Sequence, residues 1–164
     1  MLWPWLVALG VLVLAAFLAL MWRVGASAAS SLVRARHSFP AERQRLQAEF
    51  FQAAAASGKP RGLRWKRCDW GEEVEFAREL AGGELTALVG VTIQFEAIEG
   101  SDMEDLPAVG NLRNASAVFF FRAGRWHTTG KAVFNLNPRE AIEHFTGQYE
   151  RVTDPGAPGA TDSR

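Results

Sequence analysis

From Leu2 to Trp22 the chain reads LWPWLVALGVLVLAAFLALMW, without one charged side chain. At the helical rise such a run covers about 30 Å, the hydrocarbon thickness of a bilayer, where an isolated segment satisfies its backbone only as a helix. Residues 1–22 are therefore expected to form a transmembrane helix, which withholds them from any soluble core. Trp3 and Trp5 mark one border and Trp22 and Arg23 the other, where indoles and snorkelling cations favour the headgroup region. Pro4 falls in the first turn, where its missing amide proton does little harm. Gly10 and Ala15 are not at small-xxx-small spacing, so no dimer seam is expected. The alternative is a cleaved secretory signal, because Ala26-Ser27-Ala28 resembles a cleavage site; the lack of a basic n-region and the length of the run favour an uncleaved anchor.

Arg23, Arg34, Arg36, Arg43 and Arg45 all follow this run and none precedes it. Basic flanks stay on the cytoplasmic side, so a cytoplasmic domain is expected, with the extracytoplasmic orientation as the alternative. Residues 23–38 are small, polar and basic without a clean apolar face, and are expected as a stalk whose Arg34, Arg36 and His37 lie near anionic headgroups or in solvent. Residues 39–152 have the size of one ordinary domain. The tail, 153–164, has nothing to bury and is expected to be disordered. Lysine plus arginine balance aspartate plus glutamate at 18 each, so the charge gives no bias toward nucleic acid.

The periodicity of the domain is that of an α+β fold. Phe39, Leu46, Phe50, Ala53 and Ala54 fall in one helical sector, with Pro40 in the first turn and Gly58 and Pro60 as a stop, which predicts a helix over 39–57. A short strand is expected over 63–68. Residues 73–80 suit either a strand or a helix, and the Ala81-Gly82-Gly83 loop favours the strand of a hairpin. Over 84–98 the alternation is strongest: Leu85, Ala87, Val89, Val91, Ile93, Phe95 and Ala97 share one face, and Thr86, Gly90, Thr92, Gln94 and Glu96 share a wetter one. Gly90 at the centre is expected to permit a bend. Residues 114–122 and 125–136 form a second hairpin across Ala123-Gly124, with Trp126, Thr128, Gly130, Ala132, Phe134 and Leu136 alternating on one face. Asn137-Pro138-Arg139-Glu140 then caps a closing helix expected over 138–152, with Ile142, Phe145, Tyr149 and Val152 as its apolar stripe.

The expected architecture is thus a helix packed on a curved antiparallel sheet of four to five strands with a closing C-terminal helix. That order over 39–152 resembles the cystatin-like and NTF2-like α+β folds. With an anchor and stalk in front, it also resembles the membrane-tethered NTF2-like subunits of bacterial secretion and conjugation machines. The resemblance implies either an interaction module or a ligand pocket in the concave sheet.

Candidate sites follow from that choice. A pocket would use Trp126, Phe121 and Phe95 as walls with Thr128, Gln94 and the strand carboxylate Glu96 as polar groups. A partner surface would use Met103, Leu106 and Val109, the apolar residues of the long acidic connection 99–111, a loop length that often marks binding elements. That connection lacks the ligand spacing of a calcium loop, and His37, His127 and His144 lack metal-binding spacing, so neither a metal nor another cofactor is expected. Cys68, the only cysteine, forms no intrachain disulfide and reads as a strand residue. Asn114-Ala115-Ser116 matches a glycosylation sequon inside a strand, a chance match for a cytoplasmic domain. The leading expectation is a non-enzymatic, membrane-anchored interaction or scaffolding module with the bilayer and a protein, or a second copy through an edge strand, as partners. The alternative is a tethered ligand binder or enzyme.

Overall fold

The hydrophobic period changes from helical to alternating near Gly58, and the elements follow it. The chain folds as α1 (Trp3–Ala56), β1 (Leu63–Glu79), β2 (Leu85–Ala97), β3 (Arg113–Arg122), β4 (Arg125–Phe134), α2 (Pro138–His144) and β5 (Tyr149–Arg151). The computed structural model describes residues 3–104 and 106–152, and for residues 3–11, 16 and 19–29 the backbone alone. Two compact units are present, Met1–Pro40 and Ala41–Arg164.

In the first unit the backbone is helical from Trp3. The side chains of Trp3, Trp5, Trp22 and Arg23, the expected anchor borders, lie outside the described residues, as does the tail 153–164. Among the described residues no helix is long and apolar enough to cross a membrane, and most of Leu2–Trp22 falls outside the set to which that applies. The expected stalk is helical too, and no helix starts at Phe39; Pro40 sits inside α1 instead of in a first turn. Ala26, Ala28, Ala29, Leu32, Arg34, Ala35 and Arg36 are strong helix formers, and only Gly25 opposes them, so this segment has little to break a helix. Ser38 donates its hydroxyl proton to the Ala35 carbonyl at 3.2 Å, within the turn that leads to Pro40.

In the second unit five antiparallel strands in the order β4-β3-β2-β1-β5 form a curved half-barrel, and α1 lies on its concave face. Leu46, Phe50 and Ala54 are the helix residues buried there. Phe50 meets Trp65 at 6.0 Å, Trp70 at 5.3 Å and Phe119 at 6.0 Å between ring centroids. The alternating face of β2 from Leu85 to Phe95 is buried as its pattern requires. Leu63–Glu79 is one strand, not two: Gly71-Glu72-Glu73 bulge opposite Gly90, between the pairs Trp70 with Val91 and Val74 with Val89. The sheet bends where Gly90 lies, as two extra residues on one strand demand. Ala123 (φ 51) and Gly124 (φ 79) form the tight turn between β3 and β4, the left-handed pair of a two-residue hairpin.

The C-terminal end departs from the expected helix over 138–152. The capping box forms as expected, with the Asn137 side chain accepting from the Glu140 amide, but α2 ends at His144. Thr146 and Gly147 are poor helix residues, and the following Tyr149–Arg151 pairs with Ala77–Glu79 at the sheet edge. Tyr149 therefore stands on a strand, not on a helical stripe. Its side chain joins Ala77, Leu88, Ala141 and Ile142 in a second cluster beneath α2 on the convex face, so the face of β2 expected to be wet is covered over its first half. Leu136 packs against this cluster instead of beside Phe134, because Asn135 takes a positive φ of 62° and reverses the alternation.

Closure of the half-barrel depends on Gly130. It lies in a β4 bulge opposite Val118 with φ 73°, and a Cβ there would stand 2.3 Å from the Ala54 nitrogen of α1. No side chain fits between these two backbones. Gly130→Ala is expected to lower stability by about 3 kcal/mol through overpacking and the strained φ. Urea unfolding followed by tryptophan fluorescence measures it, and a loss below about 1 kcal/mol would contradict the close approach.

Candidate functional site: the open end of the half-barrel

The helix that fills the concave face is shorter than the strands it covers. Gly58, at φ 64°, follows its end, whereas β4 continues to Phe134. Past the last helical turn a cleft of about 620 Å³ remains, walled by Trp65 of β1 and by Ala132 and Phe134 of β4. Trp65 donates its indole proton to the Lys59 carbonyl at 2.7 Å, which fixes the ring. Phe95 lies 5.1 Å from Trp65 and 6.2 Å from Phe134, so the three rings are continuous. Lys59, Arg61 and Lys131 stand around them, all exposed, and no carboxylate lines the cleft. Three cations beside aromatic walls make the recess positive.

The residues expected to line a pocket are not gathered here. Trp126 is fully buried, 5.2 Å from Phe121 and 6.1 Å from Phe76, and its carbonyl accepts from Arg45 at 3.2 Å. Phe121 and Phe95 are buried among other rings. Thr128 donates to the Val118 carbonyl at 3.1 Å and accepts from the Gly130 amide at 3.1 Å, so its hydroxyl is engaged in the bulge. Glu96 lies on the opposite face from Phe95, as neighbours on a strand must, and pairs with Arg64 at 2.7 Å and Lys66 at 4.0 Å. Gln94 shares that opposite face.

On the 99–111 connection, Met103 is half-buried near Gly62 and Val109 is half-buried, while Leu106 is 50 % exposed. Ser101 ties the connection to β1 by donating to the Gly62 carbonyl at 3.1 Å. Leu112, 57 % exposed just before β3, is an apolar residue that sequence reasoning missed; its place outside the alternation of β3 was the available signal. The cleft's cations were missed as well, since 59–61 reads as a helix stop and Lys131 as one residue of a strand.

The remaining reactive groups are dispersed. His127 is exposed on the convex side beside Phe120 and Arg122, in a hollow of about 430 Å³, and the His144 ring stacks edge-on against Phe145 at 4.8 Å. Among the described residues no group of three or more His, Cys, Asp or Glu side chains could hold a metal ion. A larger hollow of about 680 Å³ borders the Gly71–Glu73 bulge and the start of α2; Asn137 and Glu140 on its wall are engaged in the capping box. The sequon lies in β3, where Ser116 is buried and donates to the Leu136 carbonyl at 2.8 Å. No family model, curated protein or solved structure matches the chain.

Burial, with Asp69 adding to it, pushes the Cys68 thiol up to about 12, so at neutral pH it is held as the unreactive protonated form. Iodoacetamide at pH 8 is expected to alkylate Cys68 at least about a hundredfold more slowly in the folded chain than in urea. Equal rates measured by mass spectrometry would show that the thiol is open.

Proposed function

We propose that the chain is a single-pass membrane-anchored protein-interaction module whose α+β domain faces the cytoplasm. The anchor is supported by the described part of Leu2–Trp22. Leu12, Val13, Leu14, Phe17 and Leu18 are 58–67 % exposed, and three of them are consecutive, so the apolar surface runs around the helix instead of along one stripe. Lipid matches such a surface and water does not. Arg23, Arg34 and Arg36, on one side of the run, support the orientation.

The interaction role is carried by one observation. The concave face is occupied by α1, whereas Leu106 and Leu112 are 50 % and 57 % exposed at either end of the short turn Pro107–Gly110. Exposed leucines beside the acidic part of this connection suit the apolar centre of a protein interface. The order of helix and bent sheet keeps the analogy with cystatin-like and NTF2-like folds as a further, weaker support.

Two measurements test the two halves. A reporter fused to the C-terminus is expected to be active only on the cytoplasmic side; activity on the far side would reverse the orientation. Crosslinked partners recovered with the full chain from membranes are expected to fall about tenfold with Leu106→Asp plus Leu112→Asp. Unchanged recovery with retained near-ultraviolet circular dichroism would remove this surface from the interaction.

A further inference from the structure

We propose that the open end of the half-barrel binds an amphiphilic anion, its carboxylate or phosphate head held by Lys59, Arg61 and Lys131 and its apolar body laid on Trp65 and Phe134. This does not rest on the protein-interaction reading or on the membrane anchor.

The charges are the first ground. Some arginines of this unit are matched with carboxylates, as Arg45 with Glu49 at 2.6 Å, Arg64 with Glu96 at 2.7 Å, Arg67 with Asp69 at 2.9 Å and Arg122 with Glu84 at 2.7 Å, and others, such as Arg78 and Arg113, bond only backbone carbonyls; what sets the cleft's cations apart is that they converge. Among the described residues Lys59, Arg61 and Lys131 form no salt bridge, although they surround one recess. Arg61 also borders a neighbouring hollow with Asp102, and the three exposed cations together would attract an anion that entered the cleft. A carboxylate or phosphate there accepts charge-assisted hydrogen bonds from flexible ammonium groups and a guanidinium.

The floor is the second ground. A site for a simple inorganic anion needs no aromatic wall, yet this one has Phe134, 37 % exposed at the end of an edge strand, backed by the immobilised Trp65, of which 7 % remains exposed. About 620 Å³ falls within the range of small-molecule sites, with space for a head and several methylene groups or a ring. The site is also built in advance. The Lys59 carbonyl holds Trp65, and the Gly130 bulge, fixed by its approach to Ala54, places Lys131 on the opposite rim. A cationic amphiphile would meet three like charges, and a neutral one would leave them unmatched. The polarity of the head therefore decides binding.

The test uses the full chain in phosphatidylcholine nanodiscs. A long-chain carboxylate carrying a diazirine is compared with a quaternary ammonium on the same tail, and labelled peptides are mapped after irradiation. The carboxylate is expected to label 57–65 and 129–134, with dodecyl phosphate competing, and the ammonium is expected not to. Combined Lys59→Gln, Arg61→Gln and Lys131→Gln should cut labelling by about tenfold or more. If near-ultraviolet circular dichroism shows that the triple variant is misfolded, the single variants Arg61→Gln and Lys131→Gln are read instead, each with a smaller loss. Equal labelling by both head groups, or full labelling of a folded neutralised variant, would overturn the proposal. Competition by water-soluble octanoate would identify a free anion as the source, and labelling only by diazirine-bearing phosphatidylglycerol would identify a bilayer lipid; labelling at these peptides by none of the anionic probes sinks the idea.

Discussion

The approach of β4 to α1 at Gly130 is the contact on which the domain depends. A half-barrel leaves a concave apolar face and two open edges, and each edge is a row of unpaired amides and carbonyls. One helix manages both problems. Its apolar side, Leu46, Phe50 and Ala54, fills the concavity, while Arg43 donates to the Gly71 carbonyl of β1 and Arg45 to the Trp126 carbonyl of β4. These bonds reach both edges only if the strands come close, and at β4 the limit is the backbone itself. Any residue with a Cβ at 130 would hold the strand off the helix.

The same geometry creates the cleft. A helix that ran on past Ala56 would cover Phe134, which is 37 % exposed, as it covers Phe119. Gly58 stops it, and the ends of β1 and β4 face each other across open space. The recess is thus a consequence of unequal element lengths, with the wall residues kept apolar and the rim residues kept basic. The convex side is treated differently. There α2 and β5 cover Leu88 and Ala77 with a small second core, and Asn135 turns the chain across from one side of the sheet to the other.

Much of this was legible in the residues, for reasons that are local. A period of two over 84–98, glycine-bearing turns at 81–83 and 123–124, and the Asn137 capping box each specify structure within a few residues, and each forms. What was illegible is non-local. Gly71-Glu72-Glu73 reads as a gap between strands, because a bulge is defined by the partner strand and not by its own sequence. Tyr149–Arg151 reads as a helical turn until the free edge of β1 competes for it. The aromatic residues were recognised as an inward face, but not that Phe50 of α1 would occupy the space in front of Trp65, Trp70 and Phe119. The cleft joins residues from 57–65 with residues from 129–134, and no spacing within either segment announces it.

The structure also changes the weight of the basic residues behind the hydrophobic run. Five arginines follow it, and counted together they are a strong orientation signal. Arg43 and Arg45, however, bond to the two edges of the sheet, and Arg45 is further held by Glu42 and Glu49. Their presence is explained by the fold, whichever side of a membrane the domain occupies. The proposed orientation then rests on Arg23, Arg34 and Arg36, which precede the folded unit and lie within the range where flanking charge acts. Those three are the cations by which the proposed orientation stands or falls, because they borrow nothing from residues that have a structural task.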